Sequence, residues 1–211
     1  MNNTLRSFAV KTTFAAVAAL AFATAASATT LTTKLAVDNG FNAYLATSAD
    51  STGVEFTAGN DWYTTVNGSV ELGNAAQYFL QIMAYDQGGA AGLLGQFSLV
   101  GTGYHFADGS TTLLTGSSAI LGNAVSHNGD YSATSSFGQN GTQPWGTVSS
   151  IDSNAQWIWS GTNDGANESN NISFFSIQIL ADNTDVPEPA SLGLMGLGLL
   201  ALSRVRAKKS K

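Results

Sequence analysis

AQYFLQIMAYDQGGAAGLLGQFSLV, residues 76–100, holds two apolar runs on either side of a glycine pair. The first, Ala76–Asp86, carries Tyr78, Phe79 and Ile82 over a length that suits a central strand. Gly88-Gly89 breaks it, and Leu93–Val100 reads as the next strand. The stretch GGAAGLLG lacks the Lys-Ser/Thr ending of a phosphate loop and opens no βαβ unit, so it is a turn. Working outward, LTTKLAV (Leu31–Val37) alternates and stops at Asp38-Asn39-Gly40, where Asn-Gly predicts a hairpin with FNAYLA as the return strand. Late in the chain come AQWIWS (Ala155–Ser160) and ISFFSIQIL (Ile172–Leu180), joined by the polar loop GTNDGANESNN. No helical period competes with this pattern. Many short strands and glycine-rich turns predict an all-β chain, an antiparallel two-sheet sandwich or jelly roll.

The two ends of the chain read differently. Residues 1–28 place Arg6 and Lys11 before an apolar stretch from Phe14 to Ala23 and close on Ala26-Ser27-Ala28, the order of a secretory signal helix cut after Ala28 by signal peptidase. At the other end, Val186-Pro187-Glu188-Pro189 precedes Ala190–Ser203, fourteen residues without a charge. This short hydrophobic helix falls below the roughly 20 residues of a comfortable membrane span. Arg204, Arg206, Lys208, Lys209 and Lys211 follow it and hold that end in the cytoplasm as a topological anchor in the inner membrane. The expected organisation is therefore 1–28 leader, 29–185 exported domain and 186–211 tail.

Charge excludes one class of partner. Of eight Lys and Arg, Lys34 alone lies between Thr29 and Asp185, against every acidic residue but Glu188. Such a domain cannot neutralise a run of phosphates, so DNA and RNA are excluded. Tight association with an anionic polysaccharide calls for a bridging divalent cation. With no cysteine, disulfides and thiol chemistry are absent together.

The Pro-Glu-Pro triplet, the glycine-laced apolar span and the basic terminus resemble the PEP-CTERM sorting signal, also catalogued as an ice-binding protein C-terminal domain. That resemblance implies recognition and cleavage near the triplet by a membrane-embedded exosortase, in bacteria that often make exopolysaccharide. An ice surface would ask for a regular Thr array, and TTLTT and STTLLT are too isolated to supply one. The series AVDNGFNAYL, GNDWYTT, YFLQIMAYDQGGAAGLLGQFSL, YHFADGSTTLLT, PWGTV and AQWIWS resembles exported PEP-CTERM proteins. More distantly, it is similar to galactose-binding-like sandwiches attached to extracellular glycosidases. In those sandwiches the Trp-Ile-Trp strand precedes the Asp-Asn-Gly-Phe hairpin; here it comes last, consistent with first and last strands lying side by side. This chain also has GSSAI where the related proteins place a Trp.

For chemistry the candidates are few. His105 reads as a packed or bend-satisfying side chain at a strand end and His127 as loop, and neither stands in a spacing that suggests a triad. Asp38, Glu55, Asp61 and Asp86 are acids from which a glycosidase pair could be drawn. Sugar binding asks for aromatic faces beside Asp, Asn and Gln, which points to Trp62 and Trp145, in loop-like settings, with Asp61 and Asn60; Asp38 and Asn39 are further polar candidates. Trp157 and Trp159 lie two apart on one strand and read as core. No cofactor is called for, though Asn163, Asp164, Asn167 and Glu168 offer oxygen ligands for a structural calcium. The expectation is an exported, non-enzymatic envelope or extracellular-matrix protein, exopolysaccharide-associated or weakly carbohydrate-binding, with a small secreted glycosidase or other hydrolase as the alternative.

Overall fold

The computed structural model describes residues 28–160 and 171–182, all within one compact unit. Residues 1–27 of the leader with cleavage residue Ala26, the Asn163–Glu168 calcium candidates, the Val186–Pro189 motif and the Arg204–Lys211 anchor lie outside the described residues; the other cleavage residue, Ala28, is exposed. Twelve strands are described: β1 (Thr30–Asp38), β2 (Gly40–Ala46), β3 (Val54–Gly59), β4 (Val66–Glu71), β5 (Gln77–Asp86), β6 (Gly92–Val100), β7 (Tyr104–Phe106), β8 (Thr112–Leu114), β9 (Ile120–Asn123), β10 (Ser132–Gln139), β11 (Gln156–Ser160) and β12 (Asn171–Ala181). The described residues contain no helix.

Hydrogen bonding runs in one path, β3-β2-β5-β12-β9-β10-β11-β6-β1-β4, with β7 on β12 and β8 on β6. Every pairing is antiparallel. The path nearly closes on itself, because β3 and β4, its two ends, lie against each other. Glycine permits that approach: a Cβ at Gly68 would stand 2.5 Å from Thr57 Cγ2, and one at Gly59 would stand 2.6 Å from Val66 Cγ2.

Alternation explains the core. β1 buries Leu31, Thr33, Leu35 and Val37, opposite Leu99, Phe97, Gly95 and Leu93 of β6. These meet Leu80 and Ile82 of β5 and Phe175, Ile177 and Ile179 of β12 in one apolar cluster. Burying each such side chain is worth about 1.5–3 kcal/mol. A second cluster joins Ala36 and Leu94 to Trp145, Val148, Ile151, Ala155 and Trp157. Residues 140–155 thus cover the opposite side of β1 and β6. They are fastened by buried Asn140, whose Nδ2 donates to the Val148 and Ile151 carbonyls, 2.9 Å each, while its Oδ1 accepts the Val148 N–H at 2.8 Å.

Two local expectations are corrected. Asp38-Asn39-Gly40 is not a hairpin: β1 pairs with β4 and β6, while β2 pairs with β3 and β5. The chain passes here from one stretch of the ladder to another, since both strands bury apolar residues in the shared core. The corner is tied to β5, with Asn39 N–H donating to the Tyr85 carbonyl at 2.8 Å. First and last strands are not neighbours either, because β12 lies between β5 and β9. Trp157 and Trp159 are both closed to solvent, as expected of core residues.

Candidate functional site

The register gathers several of the sequence-predicted residues at one end of the ladder. Asp38 closes β1 opposite Gly92; Gly40 opens β2 opposite Tyr85; Phe41 faces Gly59 at the end of β3. The loop after β3 carries Asn60, Asp61 and Trp62, and the turn after β5 begins at Asp86. Asn39 Oδ1 accepts the Gln87 N–H at 2.5 Å, which binds the corner to that turn.

Trp145 does not present the exposed face that its Pro and Gly neighbours suggest. It is only 7% exposed, stacks on Trp157 and donates its Nε1–H to Asp38 Oδ2 at 2.9 Å. Trp62 is half-buried against the same cluster. Its other neighbour is Tyr63, stacked with ring centroids 3.5 Å and planes 28° apart. Tyr63 itself is 74% exposed and is the residue that the sequence reading missed. The signal was present as adjacent Trp and Tyr after Gly-Asn-Asp, a turn that lifts both from the strand. Asp61 builds the turn: Oδ1 accepts the Tyr63 N–H and Oδ2 the Thr64 hydroxyl, each at 2.8 Å. The Thr64 hydroxyl first, and then the Tyr63 N–H, hold its carboxyl below the usual carboxylate range. Asn60 is exposed beside it. A stacked aromatic pair flanked by an amide and an ionised carboxylate can take the C–H face of a sugar while binding its hydroxyls.

Of the four acids, the fold brings Asp38 and Asp86 together. Burial pushes both carboxyls up, and the negative charge of Asp86 raises Asp38 further, against the pull of the Trp145 hydrogen bond. Glu55 sits apart, accepting from Asn42 Nδ2 at 3.2 Å.

The two histidines stand in separate settings. His105 Nδ1 pairs with Asp182 Oδ1 at 2.7 Å, beside a shallow cavity of about 400 Å³ lined by Gly101, Gly103, Tyr104 and Thr111. Among the described residues no hydroxyl is hydrogen-bonded to that ring. His127 lies edge-on between Tyr44 and Phe174, at centroid distances of 5.4 and 4.7 Å.

Residues 185–207 match the PEP-CTERM protein-sorting motif. The motif indicates an exosortase-sorted extracellular protein, made as a membrane-anchored precursor and then carried to the cell surface. No curated protein and no solved structure matches the chain. Among the described residues no helix is long and apolar enough to cross a membrane.

Proposed function

We propose that the chain is a non-enzymatic component of the cell envelope or extracellular matrix. In this reading exosortase cleaves near Val186-Pro187-Glu188-Pro189, and the released domain associates with exopolysaccharide through the Trp62–Tyr63 face. The observation that carries the association is the stacked pair itself. An aromatic ring left 74% exposed beside Asn60 and Asp61 has no packing role on its outer side. The nearly closed ladder fits a two-sheet sandwich of the galactose-binding-like kind, whose loops at one end commonly carry ligands. A hydrolase would need two acids facing each other across an open cleft. Asp86 is closed to solvent, which favours the binding reading over that alternative.

The test is co-sedimentation of the exported, purified protein with the host's own exopolysaccharide, beside a glycan-array screen. Trp62→Ala and Tyr63→Ala should each weaken retention at least about tenfold, the scale of a stacking contact worth 0.5–1.5 kcal/mol plus its buried area. Retention equal to the parent's in both variants, with unchanged thermal stability, would remove the aromatic face from the account.

A further inference from the structure

Asp86 ends β5 with 0% of its surface exposed, and neither carboxylate oxygen has a hydrogen-bond partner. The backbone N–H groups of Gly88 and Gln87 face the carboxyl and pull its pKa down against the larger effect of burial, but neither reaches ordinary hydrogen-bond geometry. Asp38, the neighbouring acid, has Oδ2 engaged by Trp145 Nε1–H at 2.9 Å. A carboxylate closed to water without a partner is destabilised in its charged form, and a like charge beside it adds to that. Two remedies exist, a proton or a cation.

Among the described residues no cationic side chain is paired with either acid. Lys34 is the only Lys or Arg among the described residues, and its Nζ donates to the Ser150 carbonyl at 3.1 Å. His105 is committed to Asp182, and His127 sits between two aromatic rings. A proton is a poor remedy as well. The indole donor at Asp38 favours the ionised form there, so the proton would fall on Asp86. Its O–H would donate to the Asp38 oxygen that Trp145 leaves free, but the other Asp86 oxygen would stay without a partner.

We propose that Asp38 and Asp86 bind one divalent cation, with calcium as the ion their hard oxygens suit best. Asp86 contributes its unpaired oxygens, Asp38 the oxygen that Trp145 leaves free, and water and backbone carbonyls complete a shell of about six to eight oxygens. The ion satisfies both Asp86 oxygens at once and joins the corner after β1 to the turn after β5. The domain's excess of acids draws such an ion in. An exported module meets calcium in the range of about 10⁻⁴–10⁻³ M, at which extracellular sites are commonly tuned. The site stands independently of any polysaccharide binding.

The experiment uses the exported protein, stripped with EDTA and titrated with terbium as a luminescent stand-in for calcium. Excitation goes through tryptophan, because Trp145 touches Asp38 directly. The expected result is sensitised terbium emission that excess calcium displaces, together with a calcium-dependent rise in Tm. Asp86→Asn and Asp38→Asn should each lower terbium affinity at least about tenfold and abolish the Tm response. Stripped Asp86→Asn should melt no lower than the stripped parent, since the variant removes an unpaired charge, and that control separates lost binding from lost folding. Absence of sensitised emission overturns the proposal. So does emission that survives in Asp86→Asn but disappears in Asp164→Asn, which would assign the ion to the loop between β11 and β12.

Discussion

Trp145 lies flat on Trp157, ring centroids 4.6 Å and planes 18° apart, over the bare backbone of Gly92. A Cβ at Gly92 would stand 2.8 Å from Trp145 Cζ2 and 2.9 Å from Trp157 Cε3, and both rings are buried. Gly92→Ala is therefore expected to cost about 1–3 kcal/mol through overpacking. Urea unfolding measures it; a midpoint within error of the parent's would mean that the rings do not pack this way.

Asn140 holds residues 140–155 over this aromatic stack through three buried hydrogen bonds. Asn140→Ala strands the Ile151 carbonyl and the Val148 N–H, while the Val148 carbonyl keeps the Ile151 N–H at 3.2 Å, so a loss of about 2–4 kcal/mol is expected, about 1–3 for each group left unsatisfied and partly recovered from water. Because the loop carries Trp145, its fluorescence should also shift to the red. Destabilisation without a red shift would place the damage elsewhere.

Gln81 is closed to solvent on β5, donating to the Ala49 carbonyl at 3.2 Å and accepting the Tyr131 hydroxyl at 3.0 Å. Burial pushes the Tyr131 phenol up to about 12, so it remains a donor throughout the working pH range. Tyr131→Phe leaves the Gln81 oxygen without that donor and should cost about 1–3 kcal/mol. A neutral substitution, read from chemical unfolding, would show that the amide finds another partner.

His127 gives the stability a pH dependence of known sign. Burial lowers its pKa below the ordinary histidine value, and Nδ1 has no partner to offset this. Well above about pH 6.5 the ring is neutral in both folded and unfolded chains, and its contribution is constant. As pH falls through that value the unfolded chain takes the proton first, so stability declines until the folded ring also titrates. His127→Phe should flatten that part of the curve, in unfolding measurements from pH 8 to 5. An unchanged slope would assign the dependence to the acids.

Strand identity was legible because alternation is local. The run from Ala76 to Asp86 and the pair of tryptophans on β11 announced themselves by apolar period and aromatic content. Pairing was not legible at Asp38-Asn39-Gly40. Asn-Gly states that the chain bends, but the partner of each strand is chosen by the core that β1, β2, β5 and β6 share. Trp145 was misread for a related reason. It does lie in a loop, yet that loop folds back on β6. The trace of this in the sequence is Leu35-Ala36-Val37 and Leu93-Leu94, consecutive apolar residues that mark strands covered on both sides. Nothing local distinguishes Asp86, an acid before two glycines, from an ordinary strand end. Its burial follows only from the neighbours that the register brings.

Export on a removable C-terminal address leaves its mark in the mass of the mature protein. Intact-mass spectrometry would be run on protein recovered from the medium or cell surface of the native host and of a strain lacking exosortase. A C-terminus near Val186-Pro187-Glu188-Pro189 is expected in the first, and retention of the tail to Lys211 at the membrane in the second. Surface protein that ends at Lys211 in both strains would contradict it.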